Sequence, residues 1–156
     1  MAKDQQEKAR PIYVLNGPNL NLLGEREPEI YGRESLVDIE TSMRMKAKAH
    51  GRDIVFRQTN REGELVDWIQ EARGAASAVI LNAGGYSHTS IALLDACRAL
   101  AIPLIEVHLS NPFARESYRR HSYISEAAKG VICGFGSSGY CLALDALEDI
   151  VKAVSP

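Results

Sequence analysis

No run of about 18 apolar residues occurs in the 156-residue chain, so no segment reads as a membrane-spanning helix. Cysteine is scarce. Cys97, Cys133 and Cys141 form no CxxC pair, and their apolar surroundings suit buried thiols in a reducing compartment better than disulfides or zinc. That predicts a cytoplasmic address. Charge of either sign is not in excess: 20 acidic residues against 18 lysines and arginines leave a net charge of -2. No basic stripe with interleaved aromatics appears, which argues against a nucleic-acid partner. The opening MAKDQQEKAR lacks the apolar core of a signal peptide and reads as a flexible polar tail over residues 1–10. Residues 11–156 read as a single domain, long enough to bury a core without staples.

From Ile12 onward, short runs rich in branched residues alternate with longer stretches of helical spacing, the pattern of a parallel sheet wrapped by helices. Strands are expected at 12–16, 53–59, 77–83, 103–109 and 130–135. Ser35 with Asp38 forms an approximate capping box for a helix whose Leu36, Ile39, Met43 and Ala47 share one face, and Gly51 stops it. The next helix sets Leu65, Trp68, Ile69 and Ala72 at i, i+3, i+4 and i+7, with Trp68 expected in the core and Gly74 at the end. A third helix is expected from Thr89 to Leu100. The last runs from Ser138 to Val154, with Leu142, Leu147, Ile150, Val151 and Val154 inward. Five βα units of this size predict a flavodoxin-like three-layer α/β sandwich, a five-stranded parallel sheet in the order 2-1-3-4-5.

Ligands of such sheets sit beyond the carboxyl ends of the strands, where strand order reverses. Three segments bring polar groups to that rim: Asn19 and its loop, Asn82 with GGYSHTS, and Glu106 to Ser110. GFGSSG at 134–139 is a literal GxGxxG, but no later strand supplies the acidic residue that a dinucleotide site needs. Its glycines serve a tight turn and close packing of the last helix. Glu106 and His108, two apart on a strand, share a face; the pair is either a solvated edge or a carboxylate that fixes an imidazole's tautomer. His88 and His108 lack an established metal-ligand spacing, so no metal is expected. Of Arg115, Arg119, Arg120 and His121 only one need act, and spacing does not choose it. Asn82 is either a turn-bonding group or a ligand contact. Asp95 lies further along its helix, on a solvated face or at a subunit contact.

Four stretches together, LNGPNLNLLGEREPEIYG, VILNAGGYSHTSIALLDAC, PLIEVHLSNPFARESYRRHSYIS and GVICGFGSSGYCLALDAL, resemble the type II 3-dehydroquinate dehydratases. The resemblance runs from Ile12 to about Leu147. It implies a hydro-lyase that dehydrates 3-dehydroquinate to 3-dehydroshikimate by anti elimination through an enolate, in the shikimate pathway or quinate catabolism. It further implies no metal or organic cofactor and a homo-oligomer, a dodecamer built from trimers. Matched by motif, Tyr31 would be the general base, Arg26 its activating neighbour, Asn19 part of the enolate-stabilising group and His108 the general acid, oriented by Glu106. Asn82, the backbone of Leu109, and Ser110 would hold the substrate carboxylate. His88 and Arg119 would bind ring hydroxyls, and Asp95 would reach a neighbouring subunit's site.

The chemistry suits these residue types. A tyrosine accepts a proton only as phenolate, and an unperturbed phenol ionises near pH 10; a two-unit drop needs roughly 2.7 kcal/mol of extra stabilisation of the charge. Arg26, on the same loop as Tyr31, is a permanent cation of the right kind, and the loop over residues 19–32 would act as a lid. A lysine Schiff base would be another route to the same product, but no lysine falls on the rim. A different class, a flavodoxin-like binding module for flavin or another phosphorylated ligand, remains the alternative that the glycine- and hydroxyl-rich rims allow.

Overall fold

The computed structural model describes residues 9–154 and, of their side chains, those of residues 9–151. Five parallel strands, β1 Ile12–Asn16, β2 Ile54–Gln58, β3 Ala78–Asn82, β4 Leu104–His108 and β5 Gly130–Cys133, form one sheet in the order β2-β1-β3-β4-β5. This is the order expected. The register sets Asn16 beside both Gln58 and Asn82, so three carboxamides meet at the carboxyl ends of neighbouring strands. β1, β3 and β4 are buried along their whole lengths, which explains why their sequences read as unbroken apolar runs rather than alternating ones.

Helices cover both faces. On one side α2 (Leu36–Ala49) and α5 (Ser138–Val154) pack Met43, Ala47, Leu144 and Leu147 against Val14, Ile80 and Val107. On the other, α3 (Glu62–Ala75) and α4 (Ile91–Arg98) pack Leu65, Ile69 and Leu93 against Leu15, Val79 and Leu81. Truncating a fully buried leucine such as Leu65 to alanine costs about 2–5 kcal/mol in a core of this kind. The capping box of α2 is complete: the Asp38 N–H donates to Ser35 Oγ, and the Ser35 N–H donates back to the Asp38 carboxylate.

Four details differ from the sequence reading. Trp68 is only half-buried: α3 packs on β1 and β3, and the indole lies beside the Arg57 guanidinium of edge strand β2, 5.5 Å from its ring. Gly74 does not stop α3, which runs on to Ala75. Leu142 is 43% exposed rather than inward, since the inner stripe of α5 passes through Tyr140, Ala143, Leu144 and Leu147. The charged loop also holds one helical turn, α1 (Pro28–Tyr31), which Pro28 opens and Gly32 closes with φ 87°. The polar tail over residues 1–10 lies outside the described residues, Ala9 and Arg10 apart, as does the Val154 side chain.

Candidate active site

The rim at the carboxyl ends of β1 and β3 is crowded by construction. A Cβ on Gly17 would stand 2.4 Å from the carbonyl oxygen of Ala83, so only glycine lets the loop after β1 cross the turn after β3. The crossing is tied by the Gly17 N–H, which donates to Asn82 O at 2.8 Å. Asn19 then turns into the left-handed region, φ 68°, with its N–H donating to Asn60 Oδ1 at 3.0 Å. Together these turns open a cleft of ≈ 130 Å³. Asn19, Arg26 and Tyr31 line it from the loop side, Asn82 and His88 from the β3 side, and His108, Leu109, Ser110 and Arg119 from the β4 side.

Tyr31 ends α1 with its ring half-buried against the core. Its phenol oxygen accepts a hydrogen bond from Arg115 Nη1 at 2.8 Å, and the same guanidinium nitrogen reaches Ser110 Oγ at 3.3 Å. Arg26 approaches differently. Its guanidinium carbon stands 5.0 Å from the ring centroid, and it pairs with Glu27 at 3.4 Å on the exposed side of the loop. Arg115 is likewise over the ring at 5.2 Å, so two cations flank one phenol. Glu27 holds φ 40°, a left-handed conformation that costs a residue with a Cβ roughly 1–2 kcal/mol.

Glu106 is fully buried and yet ionised. Burial alone would push its carboxyl up, but hydrogen bonds and charge from His108, with further bonds from Ser122 and Ser125, outweigh that and hold it below its ordinary value. Glu106 Oε1 lies 3.2 Å from His108 Nε2, which leaves Nδ1 of His108 as the ring nitrogen free to exchange a proton. His88 stacks on His108 with centroids 6.2 Å apart. The His88 Nδ1–H donates to the carbonyl of His121 at 2.7 Å; a carbonyl can only accept, so a neutral His88 keeps its acceptor on Nε2. Among the described residues no group of three or more His, Cys, Asp or Glu side chains is placed to hold a metal ion. Cys97, buried and near the Glu106 charge, is pushed up to about 12 and stays a thiol.

Behind Asn82 runs a chain of hydrogen bonds whose direction is forced. Asn16 Nδ2 donates to the Arg57 carbonyl at 3.1 Å, so Asn16 Oδ1 must accept, and it takes the single proton of the Tyr140 hydroxyl at 2.6 Å. Tyr140 can then only accept from Asn82 Nδ2, at 2.9 Å, which turns Asn82 Oδ1 to the Gly84 N–H at 3.2 Å. Asn82 therefore serves the turn and also lines the cleft, and its amide keeps a second N–H donor.

The structure gathers nine of the eleven residues singled out in the sequence around one cleft and sets Glu106 directly behind His108. Asp95 is the exception, exposed on α4 outside the lining of that cleft. The residues that sequence reasoning missed are Arg115, Ser122, Ser125, Asn16 and Tyr140. Arg115 was one of four marked candidates, and Asn16 carried a signal as a carboxamide ending an apolar strand. The rest act across more than fifteen residues of chain, which local pattern does not reveal. Chemically, the cleft sets a phenol under two guanidiniums together with an imidazole backed by a buried carboxylate. Groups of these types can accept and donate a proton.

Residues 10–148 match the family model described as Dehydroquinase class II. A 3-dehydroquinate dehydratase of Caulobacter vibrioides is 56% identical over 144 residues, which span 92% of this chain and 99% of that protein. The type II dehydroquinase from Propionibacterium acnes superposes with a TM-score of 0.86 at 42% identity, over 91% of this chain and 98% of that one. The type II dehydroquinase from Butyrivibrio crossotus gives 0.88 at 38% identity, over 90% and 98%.

Proposed function

Since the chain belongs to the class II dehydroquinase family, and is thereby a lyase that dehydrates 3-dehydroquinate, we propose that Tyr31 is the base and His108 the acid of an elimination through an enolate. The observation that carries this reading is the Tyr31 phenol oxygen held by Arg115 at 2.8 Å in the cleft that His108 also lines, with Glu106 at 3.2 Å behind it.

The steps follow from the groups present. Tyr31, as phenolate between Arg115 and Arg26, takes the proton α to the ketone, and the electrons move onto the carbonyl oxygen. Asn19 donates to that enolate oxygen, directly or through water. His108, protonated and stabilised by Glu106, gives its Nδ1 proton to the β-hydroxyl, which leaves as water; the product is a conjugated enone. The base comes from the loop and the acid from β4, on different walls of the cleft, an arrangement that supports departure of proton and hydroxyl in an anti sense. Asn82, with its free donor, the Leu109 backbone and Ser110 hold the carboxylate. His88 through Nε2, and Arg119, bind ring hydroxyls.

Among the described residues no lysine lines the cleft, which favours the enolate over a Schiff base. The reading extends to a cytoplasmic enzyme of aromatic biosynthesis or quinate breakdown, in accord with three free thiols and with the absence, among the described residues, of a helix long and apolar enough to cross a membrane. It extends also to a trimer-based dodecamer, in which Asp95, exposed beside the 57% exposed Ile91, would meet a second copy. The test is direct: the purified protein mixed with 3-dehydroquinate generates ultraviolet enone absorption, and borohydride added with substrate leaves the enzyme active. Irreversible inactivation by borohydride contradicts the enolate route.

A further inference from the structure

We propose that Ser122 and Ser125 are positioning residues of the elimination, gripping the two oxygens of Glu106 so that its carboxylate meets the His108 imidazole in a single orientation. The inference rests on the reading of His108 as the acid. An ionised carboxylate only accepts hydrogen bonds, and a buried one needs a donor on each oxygen to stay in place. Glu106 Oε1 accepts from Ser122 Oγ and from His108 Nε2, while Oε2 accepts from Ser125 Oγ. No lysine or arginine pairs with Glu106 among the described residues. The other ionisable groups near it are Cys97 on α4 and Cys133 on β5, both pushed up by burial and by the Glu106 charge. Apart from His108 itself, the two hydroxyls are thus the side chains that keep this carboxylate satisfied.

The segment that carries them is built for rigidity. Ile124, between the serines, is fully buried in the core beneath α4. The Tyr123 N–H donates to Ser87 O at 2.8 Å, and two residues earlier the His121 carbonyl receives the His88 Nδ1–H at 2.7 Å. Residues 121–125 therefore brace both histidines of the cleft from one anchored strut. Ser122 and Ser125 do not line the cleft, so their loss should alter turnover through Glu106 without altering substrate contacts.

The experiment is a mutant cycle followed by enone absorption. Ser122→Ala and Ser125→Ala each lower kcat by about tenfold, equivalent to about 1.4 kcal/mol of transition-state stabilisation, with KM unchanged. Threonine at either position restores most of the rate, since it keeps the hydroxyl. The acid limb of the kcat–pH profile moves to higher pH in the alanine variants, because Glu106 with fewer donors takes up a proton more readily. In a Glu106→Gln background the same alanine substitutions change kcat by less than about twofold. Equal losses in the wild-type and Glu106→Gln backgrounds, or a raised KM with normal kcat, overturn the proposal. Should His108→Gln turn over normally, the acid assignment itself falls. An inactive His108→Gln beside serine variants of wild-type rate and pH profile removes only the present inference.

Discussion

Replacing Arg115 by alanine is the most informative single perturbation of the base. In the structure its Nη1 donates to the Tyr31 hydroxyl at 2.8 Å, its side chain is only 14% exposed, and a second bond to Ser110 at 3.3 Å keeps it in place. A hydrogen bond to a charged partner contributes about 1.5–3 kcal/mol. An upper bound comes from two unit charges 4 Å apart at an effective dielectric of 20, about 4 kcal/mol. Glu116 lies 3.6 Å from Arg115 and draws off part of that field, which favours the lower range. At 1.36 kcal/mol per factor of ten, Arg115→Ala therefore lowers kcat by about 10- to 150-fold. Arg115→Lys should fall between alanine and wild type, for an ammonium retains the charge but lacks the planar guanidinium whose Nη1 reaches Tyr31 and Ser110 while its Nε faces Glu116. The assay is the initial rate of enone formation, with melting temperature as the control for folding. The deficit should shrink toward pH 10, where an ordinary phenol ionises unaided. An Arg115→Ala enzyme within threefold of wild type at neutral pH would refute the argument that this guanidinium stabilises the charged base.

Two further outcomes concern the groups behind the cleft. Tyr140→Phe leaves Asn16 Oδ1 and one Asn82 proton unpaired in the core, a cost of about 1–3 kcal/mol, so the melting temperature drops by roughly 3–10 °C; KM rises as the Asn82 amide loses its fixed orientation, and an unchanged melting curve would discount the network. Glu106 is held below its ordinary value of 4.5, so its ionised form adds stability in full above that pH, and the contribution is lost as the pH falls through the lowered folded value. The stability gap between wild type and Glu106→Gln should accordingly be flat above about pH 5 and narrow below pH 4 in urea titrations; a gap that widens in acid would reverse the sign of the argument.

The sheet was legible in the sequence because strands buried on both faces are short, branched and bounded by turn residues, and all five fell where the pattern set them. Helix faces were legible too, but depth was not. Spacing put Trp68 on the inner stripe of its helix without saying that the indole would end beside the edge-strand Arg57, half-buried. Leu142 failed for a related reason: its neighbours Tyr140 and Ala143 claimed the inner face, and a tyrosine there is explained only by carboxamide partners on β1 and β3. In the cleft, the strand-end residues Asn82, Glu106 and His108 stood out because polar groups close otherwise apolar strands. The partner of the Tyr31 hydroxyl did not, since Arg115 lies 84 positions away and reaches it only through the fold. Proximity along the loop pointed to Arg26, which the structure sets over the ring face while Arg115 bonds the oxygen.

The claim on which the rest depends is that the Tyr31 phenol removes the proton. Phenylalanine at position 31 keeps the ring against the core and deletes only the oxygen. Tyr31→Phe, titrated with substrate and followed by enone absorption, should bind 3-dehydroquinate within a few-fold of wild type while kcat falls by about a thousandfold, the range typical of a lost general base. Turnover within tenfold of wild type would show that another group takes the proton.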